Sequence, residues 1–592
     1  MDRDVDEVAD CIDDAVDERI VVTDAGHGRA VFGHALLREE AMAGIKTLRR
    51  CRIHLRTADV LAPSTDSASL ARRAGHLLRA LPLAEVADVI EACRRVAADA
   101  TSRWDSINAA YWLDAALRTY EASDQAVADV AMRDALLVDL LDAHLRAGNV
   151  ATVLEMVGER LTDAMRSGSP QTAGRLAATL IRSGGGWPWV APGTETGPLQ
   201  DILTTVGEFT DGDAASSARV LGALAVGTCY NRDAAIPATL LARAEVLARR
   251  LDDSDVLADV MVARLLTYSG VADRAQEAVA LGVAIRELPH ASSALDEVIV
   301  DSVLSMATMT LGDLDAAERH LRRGIVGSER MRLPILRAQL RWMEAAIAVW
   351  HGEFDRARTH FETAYAVHQQ TQLYVAGSGA LAMMAMATQE GMFEQIVDDV
   401  LGIDGSDRLE WVRSVVSGAP GNSVATLLAS GVATVAGIHG DVDLAITMID
   451  AWLGEREPMM WTSLAQAVIL AGVVVELELT DRAEPFIEYL GRFTRCIATV
   501  GQVGCIGPVD LALAELYFLI GDDDAAIEAL GRARELSETQ ASTPGVLRCR
   551  MAAASRAPAG ARRERELADI SALAAAAGMS ALASAATAGR IV

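Results

Sequence analysis

A chain of 592 residues is too long for one ordinary core, which leaves roughly three to five compact domains or a repeat array. Its 82 acidic and 54 basic residues give a formal charge of −28, which repels phosphate backbones and excludes the bulk of the chain as a nucleic-acid binder. Hydrophobic residues make up 51% but aromatics only 4%, and a composition dominated by alanine and leucine favours helices.

Residues 1–57 read helix, strand, glycine turn, strand, helix. The predicted strands are Ile20 to Thr23 and Arg29 to Phe32, paired across the turn that contains Gly26 and Gly28. Phe32, His34, Ala35, Leu36, Arg38 and Glu39 follow the pattern F-x-H-A-L-x-R-E. This stretch resembles the end of the winged-helix module that follows the nucleotide-binding domain in signal-transducing ATPases with LuxR-type outputs. Arg52, Ile53, His54 and Leu55 are similar to that family's arginine-rich helix, with isoleucine where its Leu-His pair has leucine. The resemblance implies a winged-helix remnant, with His34 packing or capping, that lacks the P-loop ATPase and the C-terminal helix-turn-helix. No GxxxxGK[ST] occurs, and Lys46, the only lysine, lies in no phosphate cradle.

Residues 58–545 carry helical periodicity. Trp104 to Ser123 reads as an amphipathic helix with Ala109, Ala110, Leu113 and Leu117 on one side, and a glycine turn at Gly148 is followed by Val153 five residues on. The regularity breaks over residues 182–200, where a glycine run with Pro188, Pro192 and Pro198 excludes a continuous helix. Trp187 and Trp189 on this loop are the candidate partner-binding residues. The other reading has both tryptophans folding back to cover a gap between repeats.

From Gly270 onward one motif recurs. With glycine as position zero, turns stand at Gly270, Gly312, Gly352, Gly440 and Gly521, with weaker versions at Gly391 and near Glu478, in steps of 38 to 49 residues. Position +5 holds Ala275, Ala317, Ala357, Ala445, Ala483 and Ala526, with Ile396 in the Gly391 unit. Position +9 holds Val279, Leu321, Phe361, Val400, Ile449, Ile487 and Leu530, and +12 holds Gly282, Gly324, Ala364, Ile403, Trp452, Leu490 and Ala533. A glycine closes one helix in the left-handed conformation, the acid that often follows caps the next, and +5, +9 and +12 share a face of it. The small residue at +5 lets a neighbouring helix approach, and the larger one at +9 is expected to fill the groove above it. This spacing resembles the second helix of the tetratricopeptide repeat, at a period nearer 40 than the standard length of about 34. Such longer repeats are similar to those in the helical arms of bacterial signal-transducing ATPases. The resemblance implies an all-α fold, a right-handed superhelix of stacked helix pairs that touch only their neighbours and leave a concave groove.

Residues 546–592 read as an arginine- and alanine-rich linker with a terminal helix, and the arginines from Arg548 to Arg565 as solvated. Motifs that carry chemistry are scarce. His351, His360 and His368 lack the spacing of a helical zinc site, the acids near Asp522 lack a calcium loop, and no GxSxG occurs, so neither metal nor cofactor is expected. Seven dispersed cysteines without a CxxC read as reduced thiols of a cytoplasmic protein. The most apolar run, Leu464 to Leu479, carries Gln466, Glu476 and Glu478 and is too short to span a bilayer. The expected function is a non-catalytic scaffold or sensor arm of a LuxR-type regulatory system. It would bind a protein segment or small effector in its groove, without touching nucleic acid or membrane. A free-standing adaptor for protein assembly is the alternative.

Overall fold

The computed structural model describes residues 5–24, 29–123, 130–191, 196–231, 233–373, 375–390, 423–438, 440–454 and 460–589. They form 28 α-helices, packed largely as consecutive pairs, and two antiparallel two-stranded hairpins. The chain divides into two compact units, Met1–Ala143 and His144–Val592.

In the first unit, helix Val5–Asp17 leads to strands β1, Val21–Asp24, and β2, Arg29–Phe32, which pair in the register Val21 to Phe32. The predicted hairpin is present, one residue later on its first strand; its turn lies outside the described residues. His34 caps helix Ala35–Ala43 by accepting the Leu36 N–H at its Nδ1, 3.2 Å away. This segment buries little, and Val22 and Leu36 are 54% and 66% exposed. The core begins at helix Thr47–Leu61 with Cys51 and Ala58 and continues through Ser67–Ala80, Val86–Ser102 and Ser106–Glu121. In the last of these Ala109, Ala110, Leu113 and Leu117 are all buried, as their spacing predicts.

The recurring turn governs the second unit. Gly270, Gly312, Gly352, Gly440 and Gly521 all have φ between +73° and +81°. After the last four, the next residue donates its N–H back into the closing helix, from Asp313 to Thr308 O, Glu353 to Ala348 O, Asp441 to Ala436 O and Asp522 to Tyr517 O. Asp313, Asp441 and Asp522 also cap the next helix, accepting from Ala316, Leu444 and Ala525 N–H at 2.9, 3.2 and 3.1 Å. Glu353 does not cap; its carboxylate pairs with Arg356 at 2.8 Å. The weak unit near Glu478 makes the same turn without glycine, with Glu478 at φ +54° and Leu479 N–H bonded to Val474 O. Gly391, Ile396, Val400 and Ile403 lie outside the described residues.

All six alanines at +5 are buried, and so is every described residue at +12, from glycine to tryptophan. Where the +12 residue is glycine the reason is steric: a Cβ on Gly324 would stand 2.8 Å from Leu340 Cδ2, and one on Gly282 2.7 Å from Leu304 Cδ1. Position +9 departs from expectation. Leu321 and Ile449 are buried, but Val279, Phe361, Ile487 and Leu530 are only half-buried. At about 100° per residue, +5 and +12 nearly eclipse while +9 falls to one edge of their stripe. The other edge, +8, is buried at Met448, Phe486 and Ala529.

Two features correct the sequence-based picture of a purely helical, neighbour-only array. Strands β3, Ile497–Val500, and β4, Gly504–Pro508, form a hairpin inside it. All of β3 is buried; Thr499 Oγ1 lies 2.9 Å from Thr310 Oγ1, and Gln502 Nε2 donates to Ser302 Oγ at 2.8 Å. Its signal was the β-branched Ile497, Thr499 and Val500 beside Gly501 and Gly504, which a search for helical period passes over. The second correction is long-range contact. Trp350 Nε1 donates to Gln540 O at 2.8 Å, Ser542 Oγ to Trp350 O at 2.8 Å, and Leu314 N–H to Gln540 Oε1 at 3.1 Å. Helix pairs far apart in sequence therefore bond directly, which a nearest-neighbour solenoid does not allow.

Candidate functional site

The loop singled out by the sequence leaves helix Pro170–Arg182 and turns over Gly184, Gly185 and Gly186, all buried. Gln339, itself buried, holds the turn from both sides: its Nε2 donates to Gly184 O at 2.9 Å and its Oε1 accepts from Gly186 N–H at 2.8 Å. Ser269 Oγ donates to Gly186 O at 2.7 Å. Trp189 is 4% exposed; its Nε1 donates to Ala223 O at 3.2 Å and its ring covers Gly227, where a Cβ would stand 2.3 Å from Cζ2. Trp187 is half-buried and meets His368 edge-on, with 5.7 Å between ring centroids. Both tryptophans thus pack among helices of their own chain. Trp189 offers no open aromatic face to a partner, whereas Trp187 keeps a partly exposed one.

Two titratable centres adjoin this loop. Arg182 is buried and bonds both oxygens of Asp296, at 2.7 Å from Nε and from Nη2, while its Nη1 reaches Asp259 at 2.6 Å. Arg219 closes on the other Asp259 oxygen at 2.6 Å, and His290 Nε2 lies 3.0 Å from Asp296. Burial acts to lower the proton affinity of Arg182, but the hydrogen bonds and charges of Asp296 and Asp259 outweigh it and raise the pKa. His368 differs. Its Nδ1 accepts from Trp342 Nε1 at 3.1 Å, its Nε2 has no hydrogen-bond partner, and burial lowers its pKa to about 4.

Open space lies elsewhere in this unit. A cleft of about 1170 Å³ opens among helices Ser463–Glu476, Val509–Ile520, Thr543–Arg556 and Ser580–Ala588, with β4 forming part of its wall. The walls are mostly aliphatic, with Ile438, Val468, Leu511, Met551 and Leu582 among them. Gly472 faces open space, since a Cβ there meets nothing within 4 Å. The polar groups are few. Arg548 donates from Nη2 to Thr388 O at 2.9 Å, while its Nε is sealed from solvent and has no hydrogen-bond partner. Burial lowers its proton affinity. Glu515, on the opposite helix, has a pKa raised by burial; Arg556 stands 3.9 Å away and stacks over Phe518 at 4.0 Å. The Cys505 thiol on the wall is pushed up to about 12 by burial.

The sequence reading missed this cleft. It placed Arg548 in a solvated linker, yet residues 543–588 form three packed helices that bury Leu547, Met551, Ile570 and Ala574. A composition-based reading cannot separate Arg548 from the arginines after it. The helical spacing of Leu547 and Met551 to either side was the available signal.

Among the described residues, no three His, Cys, Asp or Glu side chains stand close enough to share a metal ion, and no helix is long and apolar enough to cross a membrane. All seven cysteines are free thiols, five of them buried. In comparisons with known proteins, the chain matches no protein-family model and no curated protein sequence.

Proposed function

We propose that the chain is a non-catalytic sensor or scaffold arm, a right-handed superhelical array of tetratricopeptide-like helix pairs that acts in a cytoplasmic, LuxR-type transcription-regulatory system. Its ligand is a small effector or a protein segment. The observation that carries this reading is the cleft around Arg548, whose walls come from segments as far apart as Val349 and Leu582. A ligand there touches many elements at once, so its binding energy biases how they pack against each other; differential affinity for two packings is what a sensor needs. The hairpin and capped helix at Phe32 to Glu39 support the regulatory context through their resemblance to a winged-helix module.

Gene deletion with transcript profiling tests the proposal, complemented by the wild-type chain or by Gly472→Phe, which fills the cleft. A defined set of transcripts should change in the deletion strain, return with the wild-type chain, and stay changed with Gly472→Phe although that variant keeps its melting temperature. An unchanged transcript profile would overturn the regulatory reading and leave the adaptor.

A further inference from the structure

We propose that the cleft takes an amphiphilic anion, with one small anionic headgroup on Arg548 and an apolar body along the aliphatic walls. This inference rests on the sensor reading and names the chemical class of its effector. Other buried or half-buried arginines of this unit show what Arg548 lacks. Arg182 has Asp296 and Asp259, Arg286 has Asp301, and Arg532 has Asp510 at 2.7 Å. Arg548 has no carboxylate within 4 Å among the described residues, and its hydrogen bond to the Thr388 carbonyl uses one of five N–H groups. A half-buried cation without a counter-charge is incompletely satisfied, and a guanidinium fork matches a carboxylate or a similar planar or tetrahedral anion.

The rest of the lining narrows the ligand. At about 1170 Å³ the space exceeds the range of roughly 300–1,000 Å³ common for small-molecule pockets, and its aliphatic walls suit a hydrocarbon body. Glu476 and Glu478 are exposed on the cleft's lining, and Glu515 stands on another wall beside Arg556. The exposed Glu476 and Glu478 on the lining disfavour a polyanion such as a nucleotide and leave a monoanion.

Isothermal titration of the full chain with decanoate, decanesulfonate and uncharged 1-decanol tests this. Wild type should bind both anions at least tenfold more tightly than decanol. Arg548→Gln should bring the anions down to the decanol affinity and leave decanol unchanged, while Arg548→Lys keeps part of the preference. Gly472→Phe should weaken all three ligands at least tenfold at an unchanged melting temperature. Equal binding of decanoate and decanol by wild type would overturn the anion assignment while leaving a cleft that accepts effectors. An anion preference that survives in Gly472→Phe would place the anion elsewhere and overturn it too. Failure of the regulatory reading is separate, since it appears in the transcript profile whatever the titrations give.

Discussion

Arg182 and Asp296 form a two-pronged ion pair in the interior, both bonds at 2.7 Å, between a helix that precedes the glycine loop and a helix more than a hundred residues later. Removing Asp296 leaves the buried Arg182 with Asp259 as its remaining carboxylate, an aspartate it already shares with Arg219. Asp296→Asn should therefore lower unfolding stability by roughly 3–5 kcal/mol in urea titrations. Glu318→Gln, which breaks the exposed Arg322 pair, should change it by less than about 0.5 kcal/mol. Similar losses from the two variants would mean that the buried network is not closed as described.

His368 confers a pH dependence whose sign follows from its pKa of about 4. An unfolded histidine takes its proton near 6.5, so between the two values the unfolded chain binds more protons. The contribution is fully present above pH 6.5 and is lost as pH falls toward 4. Relative to His368→Asn, which keeps an acceptor for Trp342 Nε1, wild type should lose about 2 kcal/mol more between pH 8 and pH 5. Parallel pH profiles for the two proteins would rule this out.

The repeat turns differ in what surrounds them. A Cβ on Gly521 meets nothing within 4 Å, so Gly521→Ala carries only the left-handed backbone strain, about 1 kcal/mol. On Gly312 it would stand 2.7 Å from the Arg495 carbonyl oxygen, and Gly312→Ala should cost more, on the order of 2–3 kcal/mol. Glu478→Gly relieves the strain at φ +54° and should stabilise by about 0.5–1 kcal/mol. Thermal melts should place Glu478→Gly highest, Gly521→Ala below it and Gly312→Ala lowest.

Overfilling a +5 site should be worse than enlarging a +9 site. Ala317 is buried between helices, and Ala317→Leu should cost roughly 1–3 kcal/mol. The half-buried Val279 has room at the stripe's edge, so Val279→Leu should stay within about 0.5 kcal/mol. Equal costs would show that +5 is not the point of close approach.

The helical pairing was legible because it is written locally. A glycine every forty or so residues, an acid after it and an alanine five positions on act through the backbone and the nearest helix; the left-handed turn residue and the buried alanine recur in every described unit, the glycine in most and the aspartate cap in three. The N-terminal hairpin was equally local, with two short strands and the cap His34 adjacent in sequence. Tertiary structure alone decided what the interior charges and the second hairpin do. Arg182 and Arg548 look alike in sequence, each an arginine on an alanine- and leucine-bearing helix. One meets two aspartates from distant helices and the other lines an aliphatic cleft, because which side chains face them depends on contacts between residues 77 to 160 positions apart. The hairpin at Ile497 to Pro508 is likewise held by Thr310, Ser302 and Ala385, none of them near it in sequence. Local periodicity sets which elements form, and only their packing sets which buried groups find partners.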